Sequence, residues 1–464
     1  LGVTMDYSIF LWHSYEEQRQ DPSKDKNAAM AQAISNTFAS ITGSSITTVA
    51  GFVALCFMTF KLGTNIGIVM SKGVVIGVLT CVTVLPAMIL TCDKAIEKTT
   101  HRSLIPSLDK LSHGIVKGRY VALLLFLIVL VPAIHGNNNY KIYYNIDQSL
   151  PKNIPSNEAN EKLKKEFNMS NMHMILLKDG LSAKEKSAMS KEIEKVDGVK
   201  WVIGLNSLVG SNVPESMIPN DIKKMLKTDN YELEFVSSDY SSATDEVNSQ
   251  LAKIDKIVKK YQNDGMVIGE APMMKDLQDV TDVDLKTVNN ISILAIFVII
   301  LITFKSISIP VILISVIEFA IACNMAVPFY TNTSLPFVAS IVIGTIQLGA
   351  TVDYAILMTS RYHKERTERG QSKKDAIRIA HETSIKSILT SGLCFFAATF
   401  GVSVYSQVDM IGSICTLLSR GAIISMIVVI CVLPAMLWIF DGVIKRTSWN
   451  MIKANVAKRD AEKK

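Results

Sequence analysis

Two carboxylates carry the chemistry that this sequence offers. Asp6, followed by Tyr7, and Asp353, followed by Tyr354, each interrupt a stretch of apolar residues. An Asp inside a helix buried in hydrocarbon costs roughly 2.5–3.5 kcal/mol on insertion scales. The sequence carries this residue twice, at matching places. Leu1 to Ile9 and Leu348 to Ile356 share the pattern Leu-Gly-x-Thr-x-Asp-Tyr-x-Ile, six identities in nine positions. A second match follows: Val84-Leu85-Pro86-Ala87-Met88 against Val432-Leu433-Pro434-Ala435-Met436, with Asp93 and Asp441 behind them. The offset is 347 for the first match and 348 for the second, so one single-residue indel relates them. Self-similarity at a near-constant offset marks a duplicated unit. A costly residue kept at equivalent positions points to charge movement, and two carboxyls facing each other compete for charge and so favour sharing protons. Tyr7 and Tyr354 supply hydroxyls that could orient or relay. The plainer reading is that each Asp bonds a neighbouring Ser or Thr and each Tyr only packs.

Gly2 and Gly349 stand four residues before the two Asp, on the same helix face, where a missing side chain lets another helix come close. Ser44, Ser45 and Thr47 in one copy, and Thr390 and Ser391 in the other, lie on the helix after each Asp. They could bond the carboxylates or only their own helix backbone. Glu318 falls midway along another apolar run, with Asn324 beyond it; a functional and a structural role weigh evenly there. Gln347 is less specific, and His13 reads as interfacial. No nucleophile, phosphate loop or metal-ligand spacing is present, so neither an enzyme nor a cofactor is expected. The seven cysteines lie in or beside apolar runs and read as small buried hydrophobes.

These residues need a membrane bundle to hold them. The 464 residues are 49% hydrophobic with a mean hydropathy of +0.28. The apolar residues gather into runs at 41–60, 66–91, 120–134, 291–304, 309–329, 335–359, 385–404 and 410–440. About 20 apolar residues cross a bilayer as a helix, so eight full spans are expected, with 120–134 and 291–304 needing flanking residues. The run 1–12 would rise only about 18 Å and reads as the back half of a ninth helix. Lys and Arg crowd the loops at 93–119 and 360–386 and the tail at 445–464, while the opposite loops are nearly bare. That asymmetry places the charged loops in the cytoplasm. The net charge of +6 reflects this topology and not a nucleic-acid partner.

The same count puts 137–286 outside. Residues 136–286 hold 20 Lys and Arg against 24 Asp and Glu. Strands at 172–178, 199–205, 231–237 and 266–269, with helices at 182–195 and 241–261, make two strand-helix-strand units, as in a ferredoxin-like α+β sandwich. Asp276, Asp279, Asp282 and Asp284 read as a solvated helix face in preference to a cation site.

At these motifs the chain resembles the RND superfamily, and within it the MmpL-type transporters. Gly-x-x-x-Asp-Tyr in two helices, a five-span block after the outer domain, the Leu-Pro-Ala-Met ending of each half and Asp147-Gln148-Ser149-Leu150-Pro151 carry the resemblance. It implies Asp-Tyr pairs in the fourth and tenth of twelve helices acting as a proton relay, here Asp6, Tyr7, Asp353 and Tyr354. It also implies outward movement of lipids or other hydrophobic molecules across the cell membrane, driven by the proton-motive force. On that frame 1–92 is the remnant of a first transmembrane repeat (part of helix 4, helices 5 and 6) and 93–118 a cytoplasmic loop. Helix 7 is 119–136, the porter-like domain 137–286, the second repeat 287–445, and 446–464 a basic cytoplasmic tail. Three helices, a first outer domain and half of the fourth helix are then expected before Leu1. The expected partners are membrane lipids, a lipid-like substrate, protons, and the N-terminal half or a second copy. A sterol-sensing or Patched-like lipid-binding module and a SecD/SecF-type export accessory are the competing functions.

Overall fold

The computed structural model describes residues 4–99, 108–145, 154–166, 171–205, 220–449 and 451. Asp147 to Pro151, Gly2 and all but the start of the basic tail lie outside the described residues. The chain divides into two compact units. One holds 1–142, 283–406 and 410–464; the other holds 143–282 and 407–409.

The helices of the first unit are α1 (Met5–Arg19), α2 (Lys26–Ala54), α3 (Lys61–Thr99), α4 (Asp109–Lys117) and α5 (Arg119–Asn139). After α6 to α9 of the second unit come α10 (Glu270–Phe304), α11 (Ser308–Tyr330), α12 (Phe337–Thr367), α13 (Lys373–Tyr405), α14 (Asp409–Cys431) and α15 (Leu433–Thr447). Among the described residues eight helices are long and apolar enough to cross a membrane: α2, α3, α5 and α10 to α14. The two short apolar runs are completed as expected. Arg119 to Asn139 is one helix, and the run from 291 extends a helix that begins at Glu270.

The duplication is visible in how helices start. Asp25 caps α2 by accepting from the Ala28 amide, and Ser372, 347 residues on, caps α13 by accepting from the Asp375 amide. Each side chain satisfies an amide that the first turn leaves free. The run 410–440 is not one helix. It breaks at Val432, and Pro434 lies in the first turn of α15, where its missing N–H costs nothing. Helix α12 is enclosed along most of its length, whereas α3 and α5 turn most of their apolar residues outward.

Asp284 departs from the solvated acidic face. Asp276, Asp279 and Asp282 are exposed, but Asp284 is buried and accepts the Thr59 and Phe60 amides at 3.0 and 3.1 Å, capping the chain just before α3. One acidic residue at helical spacing therefore closes a helix start while its neighbours face solvent.

In the second unit, β1 (Asn171–Lys178), α7 (Ala183–Ile193), β2 (Val199–Ile203), β3 (Tyr231–Ser238), α9 (Asp245–Tyr261) and β4 (Met266–Gly269) follow in that order. The short helices α6 (Pro155–Glu166) and α8 (Asn220–Leu226) lie before β1 and before β3. The sheet is antiparallel in the order β2-β3-β1-β4. Ile175 and Leu177 of β1 pack with Met189 and Ile193 of α7 and with Ile254 and Val258 of α9, so both helices cover one face. Lys186 and Glu232 form a buried ion pair beneath α7. Beside it, burial raises the Glu234 carboxyl from 4.5 to about 7, against one hydrogen bond from Ser190.

Candidate functional site

Asp6 sits in the first turn of α1, and Asp353 in the middle of α12. Both are buried, at 2% and 1% exposure, and both adjoining tyrosines are fully enclosed. Helix α2 packs against both α1 and α12, and its hydroxyls fill the space between them. Tyr7 Oη donates to Thr48 Oγ1 at 3.4 Å. Thr48 Oγ1 lies 3.0 Å from the Gly349 carbonyl oxygen and 3.4 Å from Asp353 Oδ2. A tyrosine of one copy is thereby joined through Thr48 to the carboxylate of the other. Ser44 lies beside Tyr7 and Asp353, and Ser391 beside Asp6 and Tyr354. Asp6 and Asp353 are close enough to feel each other's charge. One oxygen of each, with the Tyr354, Ser44 and Ser391 hydroxyls, is buried without a hydrogen-bond partner among the described residues.

The helices meet at small residues. A Cβ added at Gly349 would lie 3.5 Å from the Thr48 carbonyl oxygen, and one at Gly51 would lie 3.4 Å from the Gly349 Cα. Gly349, one turn before Asp353, therefore lies against Thr48 and Gly51 of α2. Thr390 takes no part: its hydroxyl bonds Lys386 of its own helix at 2.9 Å. Glu318 on α11 is half-buried with one unpartnered oxygen and shares no described hydrogen bond with the Asp pair.

A model of the MMPL family matches residues 1–105 and 148–460. The chain belongs to the MMPL family. Two relatives are similar over parts of it. The "Probable transport protein MmpL12" of Mycobacterium tuberculosis is 23% identical over 227 residues, 47% of this chain and 20% of the relative. The "Putative membrane protein MJ1562" of Methanocaldococcus jannaschii is 31% identical over 96 residues, 21% of this chain and 24% of the relative. This chain therefore matches a quarter or less of the length of either relative.

Two further constellations in this MMPL protein escape a reading that stops at the Asp-Tyr pairs. Arg420, inside α14, donates through Nε to Asn324 Oδ1 at 2.7 Å and through Nη2 to the Asn324 carbonyl at 2.9 Å. Asn324 Nδ2 donates to Gln347 Oε1 at 2.8 Å, and Gln347 Nε2 to Ser425 Oγ at 3.0 Å. This network ties α11, α12 and α14 together and includes Asn324 and Gln347. Its cation is also duplicated: Ser71-Lys72-Gly73 stands 348 residues before Ser419-Arg420-Gly421.

The second constellation lies at the end of α12. Tyr362 Oη donates to Asp441 Oδ1 at 2.5 Å, and Arg366 grips both oxygens of Asp441 at 2.9 and 3.0 Å. In the other copy Tyr15 donates to Asp93 at 2.9 Å, with Arg19 3.8 Å from Asp93. Extending the alignment past the Asp-Tyr motif would have found both sets. Thr48 would still have been missed, because Phe395 fills its equivalent position.

Proposed function

We propose that this chain is part of a proton-driven exporter of lipids or other hydrophobic molecules, with protons passing through Asp6, Tyr7, Asp353 and Tyr354. The observation that carries this reading is the pair of duplicated carboxyls. Both are buried within reach of each other's charge, neither has a cation partner among the described residues, and a hydroxyl bridge runs from one copy to the other. A carboxylate left unpaired in an apolar interior is expensive to keep charged, so binding and releasing a proton is the inexpensive way to change its state. One charge crossing the membrane yields about 2.3 kcal/mol per 100 mV, energy that a relay between two helix bundles can convert into movement. Transport as such is supported by family membership and by the name of the MmpL12 relative.

The Lys and Arg asymmetry of the loops supports a cytoplasmic face at the Asp93 and Asp441 ends. We read the second unit as an extracytoplasmic, ferredoxin-like porter domain, supported by its β-α-β-β-α-β order and its antiparallel β2-β3-β1-β4 sheet.

Infrared difference spectra of the reconstituted protein between about pH 5 and about pH 9 test the relay, since a carboxyl that exchanges protons shows a band that changes with pH. A protonated-carboxyl band that titrates in the unaltered protein and weakens in Asp6→Asn and Asp353→Asn is expected. A spectrum unchanged by Asp353→Asn would sink the reading. Potential-dependent export that survives the same replacement in a transporter containing this chain would do so too. A lipid-sensing module would bind lipid with or without the carboxyls, and a secretion accessory would accumulate precursors on depletion.

A further inference from the structure

We propose that a groove between α5, α11 and α14 is a binding site for an anionic phospholipid, with an acyl chain in the groove and the phosphate against Arg119 and Lys373. The proposal needs only the membrane-embedded bundle and is independent of the proton path.

The groove has a volume of about 560 Å³ and its wall is almost entirely apolar; Ala122, Phe126, Phe319, Cys323, Val428 and Cys431 are among the residues that line it. This volume lies in the usual range for ligand sites. Val121 and Leu125 on the α5 side are exposed, so the groove is open to surrounding lipid. Along α5 it runs from Gly118 to Val129. Eleven residues of helix rise about 16 Å, which matches one leaflet, half of a hydrocarbon core of about 30 Å. The length therefore fits an acyl chain that enters from one membrane face and ends at mid-depth.

Charge fixes the other end. Arg119 follows Gly118 directly. Its guanidinium carbon lies 3.8 Å from the centre of the Trp438 ring, and Lys373 Nζ lies 4.5 Å from the same centre. One indole face attracts one cation well, but two cations on one ring repel each other. Arg119 donates to the Val116 carbonyl at 3.2 Å, while its Nε is buried without a partner. Among the described residues no carboxylate lies within ion-pair distance of either cation. A phosphate at this end of the groove would accept from Arg119 and offset the excess positive charge around Trp438. Trp438 and Tyr120 flank the cations, the ring types that settle at headgroup level. A neutral lipid would fill the groove but leave the two cations uncompensated.

The test uses Trp438 as the reporter in the full chain, with Trp12→Phe, Trp201→Phe and Trp449→Phe. The protein is reconstituted in phosphatidylcholine vesicles containing a minor fraction of phosphatidylglycerol with brominated acyl chains, or the same fraction of brominated phosphatidylcholine. Stronger quenching by the brominated phosphatidylglycerol is expected. Arg119→Gln and Lys373→Gln should each lower that preference about fivefold, the worth of one interfacial cation. Cys323→Phe, which fills the groove, should lower quenching by both lipids. Lys110→Gln, exposed on α4, should leave the preference intact. Unchanged far-ultraviolet circular dichroism and an unchanged elution volume in detergent show that each variant is folded. Equal quenching by the two lipids overturns the proposal. So does a Lys110→Gln effect as large as that of Arg119→Gln, which would mean a diffuse surface field. Loss of the preference on adding inorganic phosphate would assign the cations to a free anion instead of a lipid.

Discussion

The two copies of the repeat share residues but not their degree of enclosure. In the second copy, Arg366 and Asp441 form a two-pronged ion pair with side chains 9% and 6% exposed. In the first, Arg19 and Asp93 are 3.8 Å apart and 33% and 13% exposed, and Arg19 turns to Glu97 at 2.8 Å. The cation inside the last span of each copy repeats the contrast. Arg420 is held by Asn324, whereas Lys72 is exposed and holds no described ion pair or hydrogen bond. The helix carrying the Leu-Pro motif differs too, running unbroken through Pro86 but restarting after Val432. Identical residues thus acquire different energetic weight according to what packs around them. The second copy packs against α5 and among its own helices, while much of α3 faces outward.

The largest difference between the copies should appear at their Asp-Arg pairs. Asp441→Ala strands Arg366 in a buried place and should cost about 3–5 kcal/mol. Asp93→Ala removes a loose, partly exposed pair and should cost less than about 1 kcal/mol. Denaturant unfolding of the two variants in the same detergent measures both. Equal losses would mean that enclosure is not what separates the copies.

A pH series on the whole protein mixes the two units, so the titration of the second must be known to read the first. Folding raises Glu234 from 4.5 to about 7. The folded unit therefore holds a proton that the unfolded chain releases earlier, and stability falls as pH rises through that window. The loss should reach roughly 3 kcal/mol above about pH 7. Glu234→Gln should flatten the slope of stability between those values. A slope that survives this replacement would come from other groups, among them His173 of the same unit, whose imidazole is held below its usual value by burial.

The duplicated cation gives the next contrast. Arg420→Met leaves the Asn324 oxygens without their donor and should cost about 1–3 kcal/mol. Lys72→Met should change stability by about 0.5 kcal/mol or less, as surface replacements do. The glycines that follow divide the same way. A Cβ at Gly421 would lie 2.7 Å from Gln347 Oε1 and 2.8 Å from Asn324 Nδ2, whereas at Gly73 it meets nothing within 4 Å. Gly421→Ala should therefore loosen the network, while Gly73→Ala should be neutral or gain up to about 1 kcal/mol of helix propensity. Thermal unfolding of all four variants ranks them.

Much of this organisation was legible in the sequence, for specific reasons. Long apolar runs must be helices in a membrane because every backbone polar group needs an internal partner, so the eight spans could be read, although the last run also took in α15 beyond the break at Val432. The four strands and two long helices of the second unit were legible as apolar segments alternating with amphipathic ones, whereas the short α6 and α8 were not. The carboxylates were readable because their cost is high and their position repeats. Interactions between helices were harder to read. Nothing local marks Asp284 as a cap for a segment 224 residues away, or Thr48 as the hydroxyl that reaches Asp353. Thr390 looks as good as Ser391 on paper, but helical phase turns one toward its own backbone and the other toward Asp6.

A modest expected effect on stability is the one that bears most on the proposed relay. Thr48 has no counterpart in the second copy, where Phe395 stands, so only one of the two Asp-Tyr crossings has a bridging hydroxyl on a threonine. Thr48→Val keeps the shape and removes the hydroxyl, at a cost of about 1 kcal/mol. Thr48→Ser restores the oxygen without the methyl. If the bridge couples Tyr7 to Asp353, the infrared carboxyl titration should move in Thr48→Val and return toward the original in Thr48→Ser, because packing alone would not follow the hydroxyl. Ser391→Ala should disturb only the component lost in Asp6→Asn. Should Thr48→Val and Ser391→Ala displace the same component by the same amount, the two carboxyls form one undivided site. The asymmetry between the copies would then end at the protein's base instead of reaching its centre.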